Sequence, residues 1–259
     1  MEASFDKAAQ NYDETFSHSE IGKLQRNLVY HHLEKLLSNQ QQNILEINCG
    51  TGEDAIWLAQ KKHSIIATDI SNEMIAVAKT KESHQNLNFC QADSITISEQ
   101  FKDKKFDSIF SNFGGLNCLT TDELTIFFKN STSILSEKGK LILVIMPKNT
   151  LWEKIYFMLK GKFKTAFRRT KKVAFANVDG TSIPTYYYNP KDIVNLTNVN
   201  FDCLEVKPIG FFIPPSYLEP FFKNKEGLLQ LLNTLETKIK NWSFLSKYAD
   251  HYLIVLQKK

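Results

Sequence analysis

The sequence predicts an α/β protein built on a Rossmann-like, mostly parallel sheet. Short β-rich runs alternate with helical stretches as far as residue 146. A glycine-bearing turn, Asn48-Cys49-Gly50-Thr51-Gly52, directly follows the first run. The runs are themselves apolar, as strands covered by helices on both faces must be.

The elements follow in order. Ile21, Leu24, Leu28, Leu33, Leu36 and Leu37 recur at helical spacing, so the first forty residues read as helices. Strands are expected at Asn43–Ile47, Ser64–Thr68, Leu87–Cys90, Phe106–Ser111 and Lys140–Ile145, with helices beginning near Glu53, Asn72 and Thr121. The alternation stops after Pro147. Asn189-Pro190-Lys191-Asp192 reads as a helix start, with proline in the first turn. Two late strands, Asp202–Phe212 and His251–Leu256, flank a helical stretch from about Lys225 to Asn241. This divides a single domain into an N-terminal helical cap (1–42), a core (43–146), a lid insertion (147–200) and a last section of strands with a helical insertion (201–259).

Composition sets outer bounds. The chain has 259 residues, 42% hydrophobic and 23% charged, with a formal net charge of +4. That is ordinary for a globular protein and too mild to imply nucleic acid by itself. Cys49, Cys90, Cys118 and Cys203 are scattered, with no C-x-x-C pair and no zinc spacing, so no metal is expected. No basic n-region precedes an apolar h-region, and the longest apolar run, Leu141 to Met146, is too short to cross a bilayer. A cytoplasmic setting is the expectation. Oligomeric state is not legible.

The chemistry gathers around the first turn. Glycines at 50 and 52 would let backbone approach a ligand beyond the carboxyl ends of the strands. Gly50-x-Gly52-x-x-Ala55 also fits a dinucleotide fingerprint, which keeps an NAD(P)-dependent oxidoreductase open. Three carboxylates favour another ligand. Glu46 sits inside the strand, where a phosphate binder gains nothing but an amino-acid ammonium would be neutralised. Asp69 ends the second strand, where a ribose diol can be held by two hydrogen bonds. Asp93 follows the third strand, where it can meet an adenine amino group.

This set resembles the class I methyltransferases that use S-adenosylmethionine (SAM). Ile44–Gly52 resembles their first motif, with Asn48 where glycine is usual. Ala67-Thr68-Asp69-Ile70-Ser71-Asn72-Glu73-Met74 resembles the second, and Ala92-Asp93 the third. Phe106–Asn112 resembles the fourth strand, and Ile134–Leu141 the turn before the fifth. The resemblance covers about residues 5 to 146. It implies a seven-stranded sheet in order 3-2-1-4-5-7-6 with the last strand antiparallel, and conversion of SAM to S-adenosylhomocysteine. It implies a cofactor set of Glu46, Asn48, Cys49, Gly50, Gly52, Asp69, Ile70, Met74, Ala92, Asp93, Ser94 and Ser111. Phe5-Asp6-x-Ala8-Ala9-x-x-Tyr12-Asp13 resembles small-molecule members, which places Tyr12 over the cofactor. Arg26 reads either as a ligand to the cofactor carboxylate or as a solvated helix arginine. Asn48 either narrows the methionine pocket or simply tolerates an unusual backbone angle. It is also the one feature that would suit a non-catalytic SAM-binding protein.

On the acceptor side no general base declares itself, and His18 is the histidine placed to be tested. Ser111-Asn112-Phe113-Gly114-Gly115-Leu116-Asn117 lacks the N-P-P-[YF] pattern of base and amide methyltransferases, which argues against DNA. Asn112 and Asn117 either orient a substrate or serve a turn. From Leu151 to Lys172 the spacing predicts one helical lid. Trp152, Ile155, Tyr156, Leu159, Phe163 and Phe167 would form its apolar face over the substrate, with Trp152 and Tyr156 touching it. Its cations, from Lys160 to Lys172, would face solvent, an anionic membrane or, least, RNA. With the later aromatics, this suggests a small lipophilic or aromatic acceptor, methylated at oxygen, nitrogen or carbon.

Overall fold

The computed structural model describes residues 5–37, 40–81, 84–178 and 180–259. Seven strands form one sheet: β1 (Asn43–Ile47), β2 (Ser64–Asp69), β3 (Leu87–Gln91), β4 (Phe106–Ser111), β5 (Leu135–Ile145), β8 (Phe201–Ile209) and β9 (His251–Lys258). A separate hairpin pairs β6 (Ala174–Val178) with β7 (Thr181–Thr185). The sheet order is β3-β2-β1-β4-β5-β9-β8. β1 to β5 are mutually parallel, and β9 runs antiparallel to both β5 and β8. This is the expected order and the expected antiparallel last strand.

Helices cover both faces, as near-continuous apolar strands require. On one face the Glu20–Leu36, Glu53–Gln60 and Asn72–Thr80 helices bury Leu28, Leu33, Leu58 and Ile75 against Ile44, Ile65 and Phe110. On the other, the Thr121–Ile134 and Pro190–Thr197 helices pack Phe127, Phe128 and Ile193 against Leu45, Ile109, Leu141 and Tyr252. Their starts are set locally. Ser19 and Ser71 accept the amides of Gly22 and Met74, and Thr120 with Glu123 forms a reciprocal capping box. Asn189 and Asp192 form another, with Pro190 in the first turn, where the sequence places a helix start.

Most strand ends fall within two residues of the sequence reading, and three differences are larger. β5 begins at Leu135, so the expected turn at Ser136–Gly139 is an irregularity within a longer strand, with Lys138 at φ 58°. β8 ends at Ile209 and not at Phe212, because Gly210 turns the chain at φ 74°. The lid is not one helix. Leu151–Leu159 stops at Gly161, whose φ of 67° no continuing helix tolerates. A short Phe163–Ala166 helix and a single turn at Arg168–Thr170 follow.

Candidate active site

At the carboxyl end of β1 the chain makes a turn that few residues can follow. Asn48 has φ 54°, Gly50 φ 53° and Gly52 φ 83°. Asparagine is among the few side chains that populate this left-handed region, so it replaces the usual glycine without breaking the turn. Its side chain has a place prepared. Nδ2 donates to Ser111 Oγ at 3.3 Å, and a Cβ added at Gly115 would meet Asn48 Cβ at 2.5 Å. Asn48 thus fills space that Gly115 vacates.

The two motif glycines serve different ends. A Cβ at Gly50 would meet only Tyr12 Cε1, at 3.7 Å, so this backbone is open toward the space under the Tyr12 ring. At Gly52 an added Cβ would strike the Phe89 ring at 2.6 Å. Gly52 therefore has a packing reason of its own to lack a side chain.

Two carboxylates converge on this turn. Asp69, 9% exposed, accepts the Gly50 amide at 2.9 Å through Oδ2 and the Ser71 amide at 2.9 Å through Oδ1. Burial raises its carboxyl above the usual range, against the pull of those amides. Glu46 is 1% exposed, and its Oε2 has no hydrogen-bond partner among the described residues. Burial, then the neighbouring Asp54 charge, push Glu46 well above the carboxylate range, with Arg26 opposing. A buried carboxylate oxygen without a donor, one turn from an open glycine backbone, suits the ammonium of an amino-acid tail. Asp69, at the junction of β1 and β2, suits a ribose diol. The residues present therefore fit SAM.

The remaining expected contacts distribute around this centre. Cys49, Met74, Ala92, Ser94 and Ser111 are buried at or near the strand ends, and Ile70 is half exposed. Asp93 Oδ1 accepts the Ile95 amide at 2.9 Å, fixing the turn after β3. Tyr12 lies against Gly50, and burial raises its phenol to about 12, so it stays protonated. The segment carrying it is tied down. Asp6 accepts from Ser71 Oγ at 2.5 Å, and Asp13 accepts from Thr51 Oγ1 at 2.5 Å while pairing with Lys81 at 2.6 Å.

Several sequence assignments change. Arg26 is not a solvated helix arginine: its Nε donates to Asp54 Oδ1 at 2.9 Å, and its guanidinium lies 5.3 Å from the Phe113 ring centre. Asp54, overlooked in the sequence, also accepts from Tyr30 Oη at 2.8 Å and Asn112 Nδ2 at 3.0 Å. Asn112 in addition accepts the Phe113 amide, so it holds the turn after β4. Asn117 is fully buried. Its amide is consumed by the Met146 amide and the carbonyls of Met146 and Tyr186, which removes it from the substrate candidates. Trp152 donates to the Phe212 carbonyl at 3.1 Å, and it packs with Tyr156 beside Ile21, Ile213, Leu218 and Phe222. These two anchor the lid and are not placed on a substrate. His18 is exposed, 3.7 Å from Glu53. With Asp13 and Glu53 it forms a group of metal-ligand type, but Lys81 Nζ already lies 2.6 and 2.5 Å from those two carboxylates.

Beyond the end of β5, where β9 begins, lies a second buried ionic group that no motif announces. Arg169 bridges Glu153, at 2.8 Å, and Asp250, at 2.8 Å, both nearly fully buried. Despite burial, His251 and Arg169 hold the Asp250 carboxyl below the usual range. The His251 ring stands edge-on to Phe113 at 5.4 Å, and Phe113 itself has φ 41°.

Residues 44–139 match the family described as a methyltransferase domain. The chain is a SAM-dependent methyltransferase, similar to the class I enzymes. As such a methyltransferase it uses SAM as methyl donor. Its relatives include a malonyl-[acyl-carrier protein] O-methyltransferase of Bacillus anthracis, 28% identical over 88% of this chain and 77% of that protein. Another is malonyl-[acyl-carrier protein] O-methyltransferase 1 of Ilyobacter polytropus, 30% identical over 74% of this chain and 64% of that protein. Among solved structures, a SAM-dependent methyltransferase from Methanosarcina mazei superposes with a TM-score of 0.60 at 20% identity. The match covers 88% of this chain and 96% of that one. The methyltransferase fold explains why Glu46, Gly50 and Asp69 meet: each ends or borders a parallel strand at the same edge of the sheet.

Proposed function

We propose that this methyltransferase transfers the SAM methyl group to a small, largely apolar acceptor, at an oxygen. The observation that carries the reading is Phe113. It follows β4 directly, is held at φ 41°, and is packed between the Arg26 guanidinium and the His251 ring. A bulky residue at positive φ costs of order 1–3 kcal/mol and persists only where surrounding contacts impose it. Here they hold an aromatic ring just past the carboxyl end of β4, beside Arg26 and His251, and we read it as a wall for the acceptor. The polar groups nearby are already engaged: Asn112 with Asp54, Asn117 with backbone, Arg169 with Glu153 and Asp250. Acceptor recognition then rests mainly on apolar contact. The O-methyltransferase relatives favour oxygen.

SAM supplies an already activated methyl group, and the protein contributes alignment and exclusion of water. Glu46 neutralises the cofactor ammonium, Asp69 fixes the ribose, and Tyr12 closes the space over Gly50. An acceptor that arrives as a carboxylate needs no base. The test is transfer of labelled methyl from SAM into a cell extract, partitioned between organic and aqueous phases. Base-labile label in the organic phase is the expected result. Label confined to protein, nucleic acid or water-soluble products would overturn the reading. Phe113→Ala should lower kcat/KM at least about ten-fold, with SAM affinity within a few-fold of wild type.

A further inference from the structure

The outer face of the lid is not used by anything described so far. Ile155, Met158 and Leu159 at the end of the Leu151–Leu159 helix are exposed, as are Phe163 and Phe167 beyond the Gly161 turn. Leu159 is 84% exposed and Phe163 63%. Tyr217 and Phe221 extend the patch: Tyr217 meets the Tyr156 and Phe157 rings at 6.0 and 6.2 Å, and Phe221 is exposed. This is the reverse of the expected arrangement, in which Ile155, Leu159, Phe163 and Phe167 would have faced inward over the substrate.

The exposed charge of the 154–172 segment is of one sign. Lys160, Lys162, Lys164, Lys171 and Lys172 are exposed, and no acid occurs from residue 154 to 172. Lys154 and Lys225 lie over the Phe167 and Phe221 rings, at 5.7 and 3.2 Å from their centres. Of the neighbouring acids, Glu153 and Glu219 are engaged, while Glu226 beside Lys225 is exposed. Glu153 is 1% exposed and bound by Arg168 and Arg169, and Glu219 accepts the amides of Glu20 and Ile21.

We propose that this face docks the protein on an anionic lipid bilayer. Leu159 and Phe163 project from either side of a tight turn. They are the two most exposed apolar side chains of the patch, so they offer depth of insertion. A bilayer needs only apolar side chains that reach the acyl boundary and cations that remain at the headgroups, and this segment has both. No helix among the described residues is long and apolar enough to cross a membrane, so the contact is peripheral. Docking here would place the lid where a lipophilic acceptor is concentrated, but it is independent of the acceptor reading, because binding is measured without methyl transfer.

The experiment is flotation of the full chain with vesicles of phosphatidylcholine, with and without phosphatidylglycerol. The protein should float with the anionic vesicles at low salt, and added salt should weaken the association. Lys162→Glu with Lys164→Glu, and separately Leu159→Ser with Phe163→Ser, should each reduce partitioning about ten-fold or more. The SAM-induced rise in melting temperature should be kept in both, which shows that the fold is intact. The lysine pair is solvent-exposed, so its reversal leaves the core untouched. A wild-type chain that stays out of the anionic vesicles at low salt overturns the proposal and leaves the face to an acidic protein. Variants that float as the wild type does overturn it equally.

Discussion

Glu46 destabilises the ligand-free fold, and a bound cation would offset that cost. Burial raises its pKa, so the folded chain keeps the Glu46 proton to higher pH than the unfolded chain does. Its contribution is therefore best below the ordinary carboxylate pKa, and is lost as pH rises from there through the raised value. Glu46→Gln should raise the melting temperature of the ligand-free protein at neutral and alkaline pH, by the equivalent of roughly 1–3 kcal/mol. The gap should close toward about pH 4, where both forms are neutral. SAM affinity should fall about ten-fold or more in the same variant. Calorimetry and titration across pH check both halves, and an unchanged melting temperature at alkaline pH with unchanged affinity would refute them. Glu46 and Asp69 were legible because their chemistry follows from a position on a strand. Asp54 was not, since an acid in a helix's first turn is ordinary, and its partners Arg26, Tyr30 and Asn112 come from two other elements. Asn48 was visible as a departure. Its accommodation was not, because Gly115 meets it only through the pairing of β1 with β4.

The end of β8 depends on one side chain from a helix far along the chain. Glu236, on the Glu226–Ile239 helix, accepts the amides of Gly210 and Phe211 through one oxygen and those of Phe212 and Ile213 through the other, at 2.5 to 3.1 Å. Four backbone donors, two buried and two partly buried, lose their acceptor together in Glu236→Ala. A loss of about 3 kcal/mol or more is expected, read as a lower denaturant midpoint at unchanged slope. Glu236→Gln, which keeps an acceptor oxygen, should lose less. A loss under about 1 kcal/mol for alanine would mean that water replaces the carboxylate. At this scale the sequence was least informative in the lid. Periodicity continued from Leu151 to Phe167, but Gly161 interrupts the helix, and periodicity does not say which face is covered. The β6–β7 hairpin carried a weak sequence signal, a glycine at 180 between short runs ending in Val178 and beginning at Thr181, which pair across it.

The whole sheet was the most legible feature: its strands follow from the β/α rhythm and the two late β runs, and their order from the methyltransferase resemblance. Its ligand-linked stability is correspondingly direct. SAM at ~100 times its dissociation constant should stabilise the protein by about 2.7 kcal/mol, and NAD should not. A melting temperature indifferent to millimolar SAM would contradict the fit of Glu46 and Asp69 to it. The N-terminal segment adds a property that equilibrium measurements do not reveal. Tyr12 roofs the space over Gly50, and Asp6 and Asp13 pin that roof to Ser71, Thr51 and Lys81. Such a roof makes exchange of SAM and its product depend on opening of this segment, a step separate from methyl transfer. Asp13→Asn should hasten dissociation of S-adenosylhomocysteine in stopped flow. Where release limits the cycle, it should raise kcat even as cofactor affinity falls.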